Sequence, residues 1–135
     1  WHDGSYSNSL TGDGLTLTDN DAIYGGGIYI QYSDLSLLDS TLTDNDATYG
    51  GAIYGYDSDY TSSDIELTTS TIQRNTASNG AGLYAAYLSA ITSDTSDWGE
   101  GSDDNADDDV YLFGIDIYDY GDAASFACDT AECSE

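Results

Sequence analysis

Four asparagines, Asn20, Asn45, Asn75 and Asn105, follow one another at intervals of 25, 30 and 30 residues, and the first three carry the same neighbours at the same offsets. Self-similarity at such a period marks a repeat architecture and restricts the fold more than any local propensity does. Three residues before each of these three stands Leu17, Leu42 or Ile72, and two residues after stands Ala22, Ala47 or Ala77. A small-residue run follows (Gly25-Gly26-Gly27, Gly50-Gly51-Ala52, Gly80-Ala81-Gly82) and leads into Ile28-Tyr29, Ile53-Tyr54 or Leu83-Tyr84. Seven residues upstream of Leu17, Leu42 and Ile72 stand Leu10, Leu35 and Ile65, the last two opening the alternations Leu35-Ser36-Leu37 and Ile65-Glu66-Leu67.

Each repeat therefore holds two or three short strands with one apolar face, separated by glycine or aspartate turns. One copy cannot bury that face, but stacked copies can if each is a turn of a solenoid with Leu, Ile and Ala columns inside. Equivalent residues then lie about 4.8 Å apart along the axis, where identical asparagine amides can donate and accept in a continuous ladder. Asn also tolerates the left-handed backbone of a sharp corner, and the glycines supply positive-φ corners elsewhere in the turn. With 39% apolar and 13% aromatic residues so arranged, a net charge of −25 does not imply disorder. The expected fold is all-β, a solenoid of four to five turns about 20 Å tall.

The pattern LTDNDAxYGGAIY, seen at Leu17 to Tyr29, Leu42 to Tyr54 and more loosely Ile72 to Tyr84, resembles the Asn-then-GGAI repeat of right-handed parallel β-helix proteins. Such repeats occur in polymorphic outer-membrane proteins, autotransporter passenger domains and large secreted bacterial surface proteins. The resemblance covers residues 10 to 112 and implies a right-handed parallel β-helix at the cell surface or outside the cell. It also implies one domain over 1–135, with repeats over 10–101 and a last turn and C-terminal cap over 102–135. The fourth copy departs from the pattern: Ser102, Asp103 and Asp104 precede Asn105 where an apolar residue is expected, and Val110-Tyr111 arrives early without glycines. Segments 55–64 and 85–103 exceed the shortest repeat and are expected to bulge. Trp98 within the second either packs a loop on the wall or presents a stacking surface.

Charge removes several functions. Twenty-six acidic residues face a single basic one, Arg74, so nucleic acid is excluded as a partner for want of a cationic footprint. No apolar run approaches a membrane span, which argues against membrane insertion. Paired aspartates on a β-helix would suit a polysaccharide-active enzyme, but such chemistry also needs cationic groups, and the chain has only Arg74 and His2. No catalytic residue is therefore expected. The offsets stack Asp19 with Asp44 and Asp21 with Asp46, and Asp103-x-Asn105-x-Asp107 opens like a calcium loop without its glycine and glutamate. Either calcium neutralises these acids or they are solvated in a cation-rich medium; no other cofactor is expected. Arg74 falls in the Asp19/Asp44 column and is either the cation that column requires or a flexible exposed side chain. Cys128 and Cys133 enclose four residues and are expected to form a disulfide locking a terminal hairpin, worth about 2 kcal/mol for so small a ring. Tyr29, Tyr54 and Tyr84 each follow an inward residue and form an outward aromatic stripe, either as strand stabilisation or as a flat face for lateral association or sugar stacking.

The chain opens at Trp1 without an apolar leader, as a processed piece or a fragment would. Uncapped solenoid ends expose unpaired strand edges. These observations lead to an extracellular structural protein, either a subunit self-associating end to end into a homopolymeric surface filament or a segment of an adhesin. The alternative is a carbohydrate- or calcium-binding surface module with a glycan or surface partner, and an enzyme stands further off.

Overall fold

The computed structural model describes residues 8–57, 63–88, 90–99, 102, 104–106 and 109–113, and the backbone of 125–128. The first turn carries four strands, β1 (Asn8–Asp13), β2 (Thr16–Thr18), β3 (Asp21–Tyr24) and β4 (Ile28–Gln31). The second repeats them as β5 (Ser33–Leu38), β6 (Thr41–Thr43), β7 (Asp46–Tyr49) and β8 (Ile53–Tyr56). The third has β9 (Asp64–Thr68), β10 (Thr71–Gln73) and β11 (Leu83–Ala86), with single bridges at Thr76 and Asn79 in place of a strand between them. In the fourth, β12 (Ala90–Asp94) and β13 (Val110–Phe113) flank bridges at Asp97 and Ala106, and β14 (Ser125–Cys128) lies over β12.

Every pairing is parallel and joins one turn to the next, so the strands form four walls: β1-β5-β9-β12-β14, β2-β6-β10, β3-β7 and β4-β8-β11-β13. The protein is thus an all-β parallel solenoid of about four turns, and the described residues include no helix. Two or three strands per repeat had been expected. The first two turns hold four, because the segment between the asparagine and the glycine run also pairs with its equivalent above.

The register explains the core. Leu35, Ile65 and Ile91 form one inward column, Leu37 and Leu67 a second, and Ile28, Ile53, Leu83 and Val110 a third. All are buried, and full burial of each such side chain contributes about 1.5–3 kcal/mol. The period-2 alternation of β4 and β9, inward then outward, is what one packed face of a strand requires.

Two corner devices recur. Gly25, Gly50 and Gly80 open the glycine runs with φ of 59°, 64° and 59°, a left-handed conformation in which a Cβ would run into the carbonyl of the residue three positions on. The other corner differs from expectation: the left-handed residue is the one before each of the first three ladder asparagines, Asp19, Asp44 and Arg74 with φ of 56°, 58° and 53°. The turn bends one position earlier, which aims the following asparagine side chain inward.

Of the segment 85–103, the described residues 90–98 follow the walls of the solenoid, and residues 89, 100, 101 and 103 lie outside the described set. Its Ala90–Asp94 portion is β12, continuing the first wall, and Ile91 takes its place in the Leu35/Ile65 column. Thr71 pairs with Asp97, so Trp98 falls over Ile72 and is fully buried, its indole N–H donating to Ser93 Oγ at 2.9 Å. Trp98 therefore presents no stacking surface, and instead of packing a loop on the wall it is a member of the core itself. It also supplies the apolar partner missing before Asn105, seven residues upstream instead of three. Of the segment 55–64, residues 58–62 lie outside the described set; Asp57 at its start is buried and accepts from the N–H and Oγ of Ser63 at 3.2 and 2.7 Å.

Candidate functional site

The asparagines form the expected file. Nδ2 of Asn20 donates to Oδ1 of Asn45 at 2.9 Å, Asn45 to Asn75 at 3.0 Å, and Asn75 to Asn105 at 2.9 Å. The backbone N–H of each also donates to the same Oδ1 one turn on, at 3.0–3.2 Å. The second Nδ2 proton of Asn45, Asn75 and Asn105 reaches back to the carbonyl of Leu17, Leu42 and Ile72 at 3.0, 2.9 and 2.8 Å. Asn45, Asn75 and Asn105 are buried, so the ladder removes polar groups from water without leaving any unpaired.

The file has direction. At its far end Asn105 Nδ2 meets the buried Asp109 carboxylate at 2.9 Å and the Trp98 carbonyl at 2.9 Å, which take the place of a further asparagine. At its near end Asn20 is exposed, and its Oδ1 accepts nothing from the described residues. A second ladder was not anticipated. Ser40, Ser70 and Ser96 are buried at another corner, where the N–H of Leu15, Ser40 and Ser70 donates to Oγ of the serine one turn on at 3.1–3.2 Å. The left-handed residue again precedes: Asp39, Thr69 and Thr95. The 30- and 26-residue spacing of these serines was the available signal, hidden by the abundance of Ser in the chain.

The charged corner is resolved by Arg74, whose Nε and Nη2 donate to Asp44 Oδ1 and Oδ2 at 2.9 and 2.8 Å on the preceding turn. Arg74 thus meets one acid of its column, Asp44. The guanidinium holds the Asp44 carboxyl below its ordinary range, chiefly through that hydrogen bond. The contribution is present at neutral pH and disappears as pH falls below the ordinary aspartate value of 3.8 and through the lowered one. Both side chains are 40% exposed, so solvent weakens the pair. Asp21 and Asp46 are register partners, and Asp46 Oδ1 accepts from Thr76 Oγ1 at 2.6 Å. Among the described residues no group of three or more His, Cys, Asp or Glu gathers as a metal would require. Asp103, Asp107 and Cys133 lie outside the described residues, and Cys128 is described only as a backbone position of β14.

The fourth wall carries the tyrosine stripe, one member longer than expected. Tyr29, Tyr54, Tyr84 and Tyr111 stack at centroid separations of 5.4, 5.1 and 5.2 Å with interplanar angles of 3°, 9° and 17°. Beside it on the third wall, Tyr24 stacks on Tyr49 at 5.5 Å. Tyr49 meets Tyr84 edge-on at 5.4 Å and 72°. Rings so nearly parallel turn their faces towards one another along the axis, and the stripe presents mostly edges and hydroxyls. Between the two columns lies an open groove of about 410 Å³, lined by Tyr24 and Tyr49 on one side, by Tyr54, Tyr84 and Tyr111 on the other, and by Asn79 and Phe113. Burial, followed by repulsion from the other phenols, pushes the Tyr54 hydroxyl up to about 12 and raises Tyr84 by the same causes.

Comparison with profiles of protein families, with curated proteins and with solved structures gives no match in any of the three. What the surface can do is therefore a matter of its geometry. Its most unusual feature is the first turn. No described strand pairs with the outer edges of β1, β2, β3 and β4. Leu10 and Leu15, which would be interior in a middle turn, are 43% and 36% exposed.

Proposed function

We propose that the protein is an extracellular structural subunit that associates end to end, its first turn receiving the last turn of another copy, in a surface filament or an adhesin stalk. The observation that carries this reading is the open first turn: four strand edges and an amide acceptor at Asn20 that no described residue pairs with, and Leu10 and Leu15 facing solvent. Such an edge is a template for further parallel strands. At the other end β13 has no described strand on its far side. Seating β13 of one copy on β4 of the next would continue the register Ile28–Ile53–Leu83–Val110 and bring Tyr111 against Tyr29, itself half-exposed. This contact is head-to-tail and does not close on itself, so it grows. The net charge of −25 opposes lateral clumping, and the likeness of the repeat to those of secreted surface proteins agrees with a place outside the cell.

The test is sedimentation velocity combined with negative-stain microscopy over a concentration series. Rods that lengthen with concentration are expected, and the double substitution Leu10→Lys, Leu15→Lys should return a folded monomer by charging the edge. Discrete small particles at every concentration would defeat the reading.

A further inference from the structure

We propose that the notch above Tyr49 is a binding site for an organic cation of the alkylammonium class. It lies on the side of the solenoid and does not depend on end-to-end association. The Tyr24–Tyr49 column stops after two turns because its third position, paired with Tyr49, is Asn79. No ring continues the stack there, and the upper face of Tyr49 opens into the groove of about 410 Å³. Tyr84, stacked between Tyr54 and Tyr111, stands against Tyr49 at 72°, and Phe113 completes the wall, so a guest above Tyr49 meets that one open ring face and, beside it, the edges and phenolic oxygens of Tyr84 and Tyr111. The Asn79 side chain, half-buried at the rim, forms no hydrogen bond with the described residues and is free to point its oxygen at a ligand.

Charge selects among guests of that size. Twenty-six acidic residues against one basic residue place the groove in a strongly negative field, and that one cation is engaged with Asp44. Anions are repelled, while cations are concentrated at the surface before any local contact is made. A ring face within about 6 Å of an ammonium group attracts it through the ring quadrupole, and the Tyr49 face is the one the groove leaves open to such a group. A neutral sugar would also use the Tyr49 face, but it gains nothing from the field and finds one amide where it needs several polar partners.

The experiment is an NMR titration at fixed ionic strength with choline, with its uncharged isostere 3,3-dimethylbutan-1-ol, and with cellobiose. Choline is expected to saturate and to shift Tyr49, Tyr84 and Tyr111 resonances, with the isostere at least tenfold weaker. Asn79→Tyr continues the stack and fills the notch; it should abolish saturable binding while the thermal melt stays the same or rises. Tyr49→Phe keeps the ring face and should bind within about threefold of the original. Four results would each overturn the proposal: equal binding of the isostere, undiminished binding by Asn79→Tyr (cations spread over the acidic surface), loss of binding with Tyr49→Phe, or shifts from cellobiose and none from choline.

Discussion

At the scale of the residue, the asparagine does more than tolerate a corner. Asn75 is fully buried and its side chain and N–H make five hydrogen bonds to three residues: Oδ1 accepts from the N–H and Nδ2 of Asn45, Nδ2 donates to Leu42 and Asn105, and the N–H donates to Asn105. Asn75→Ala leaves two donors and a carbonyl stranded in the interior at about 1–3 kcal/mol each before relaxation, so a loss of about 3–5 kcal/mol is expected in denaturant unfolding. Asn20→Ala, at the exposed end of the same file, removes only a donor and should cost under about 1 kcal/mol. Equal costs would deny the ladder its role. The asparagine column was legible because its residues keep the same apolar and glycine neighbours. The serine ladder was not, since nothing distinguishes Ser40, Ser70 and Ser96 from other serines until the backbone places them at a corner. Nor did the sequence say which residue would carry the positive φ: Arg74 holds it without the local side-chain advantage that favours Asn or Asp there.

At the scale of the element, the fourth wall shows how a strand pattern becomes a surface. Tyr after Ile or Leu was enough to place Tyr29, Tyr54 and Tyr84 in line. Tyr111 was missed as a member because Val110-Tyr111 lacks the glycine run. Trp98 was unrecognised as the fourth-turn equivalent of Leu42 and Ile72 because residues 99–104 separate it from Asn105, so the ladder keeps its register while the sequence offset does not. Stacking has a pH consequence. The Tyr54 hydroxyl ionises near 12 in the folded chain against 10 when exposed, so the folded state holds its proton more tightly. The stability from the neutral phenol is complete below pH 10 and is lost as pH rises from 10 towards 12. Unfolding followed by circular dichroism between pH 9 and about 12 should show a falling midpoint, with a shallower fall for Tyr54→Phe. A midpoint flat over that range would contradict the burial of this ring.

At the scale of the whole molecule, a small interior of aliphatic columns is wrapped in a shell of almost uniform charge. Among the described residues the ion pair of Arg74 with Asp44 relieves one corner, while register partners such as Asp21 and Asp46 set like charges one turn apart. Screening should therefore stabilise the fold: raising sodium chloride from about 0.05 to 2 M is expected to raise the melting temperature by several degrees or more, as the Debye length shrinks from over 10 Å to about 3 Å or less. A melting temperature that falls with salt would mean the acids are held by specific partners. Composition announced the charge, and the period announced the solenoid. The open first turn and the notch above Tyr49 were beyond the sequence, because both are defined by what fails to continue from one turn to the next. The central claim is the inward file of amides, and side-chain amide NMR reaches it most directly. Nuclear Overhauser contacts between the Nδ2 protons of successive members from Asn20 to Asn105, with slow hydrogen exchange at Asn45, Asn75 and Asn105, are the expected result; fast exchange with no contact between asparagines 25 or 30 residues apart would contradict it.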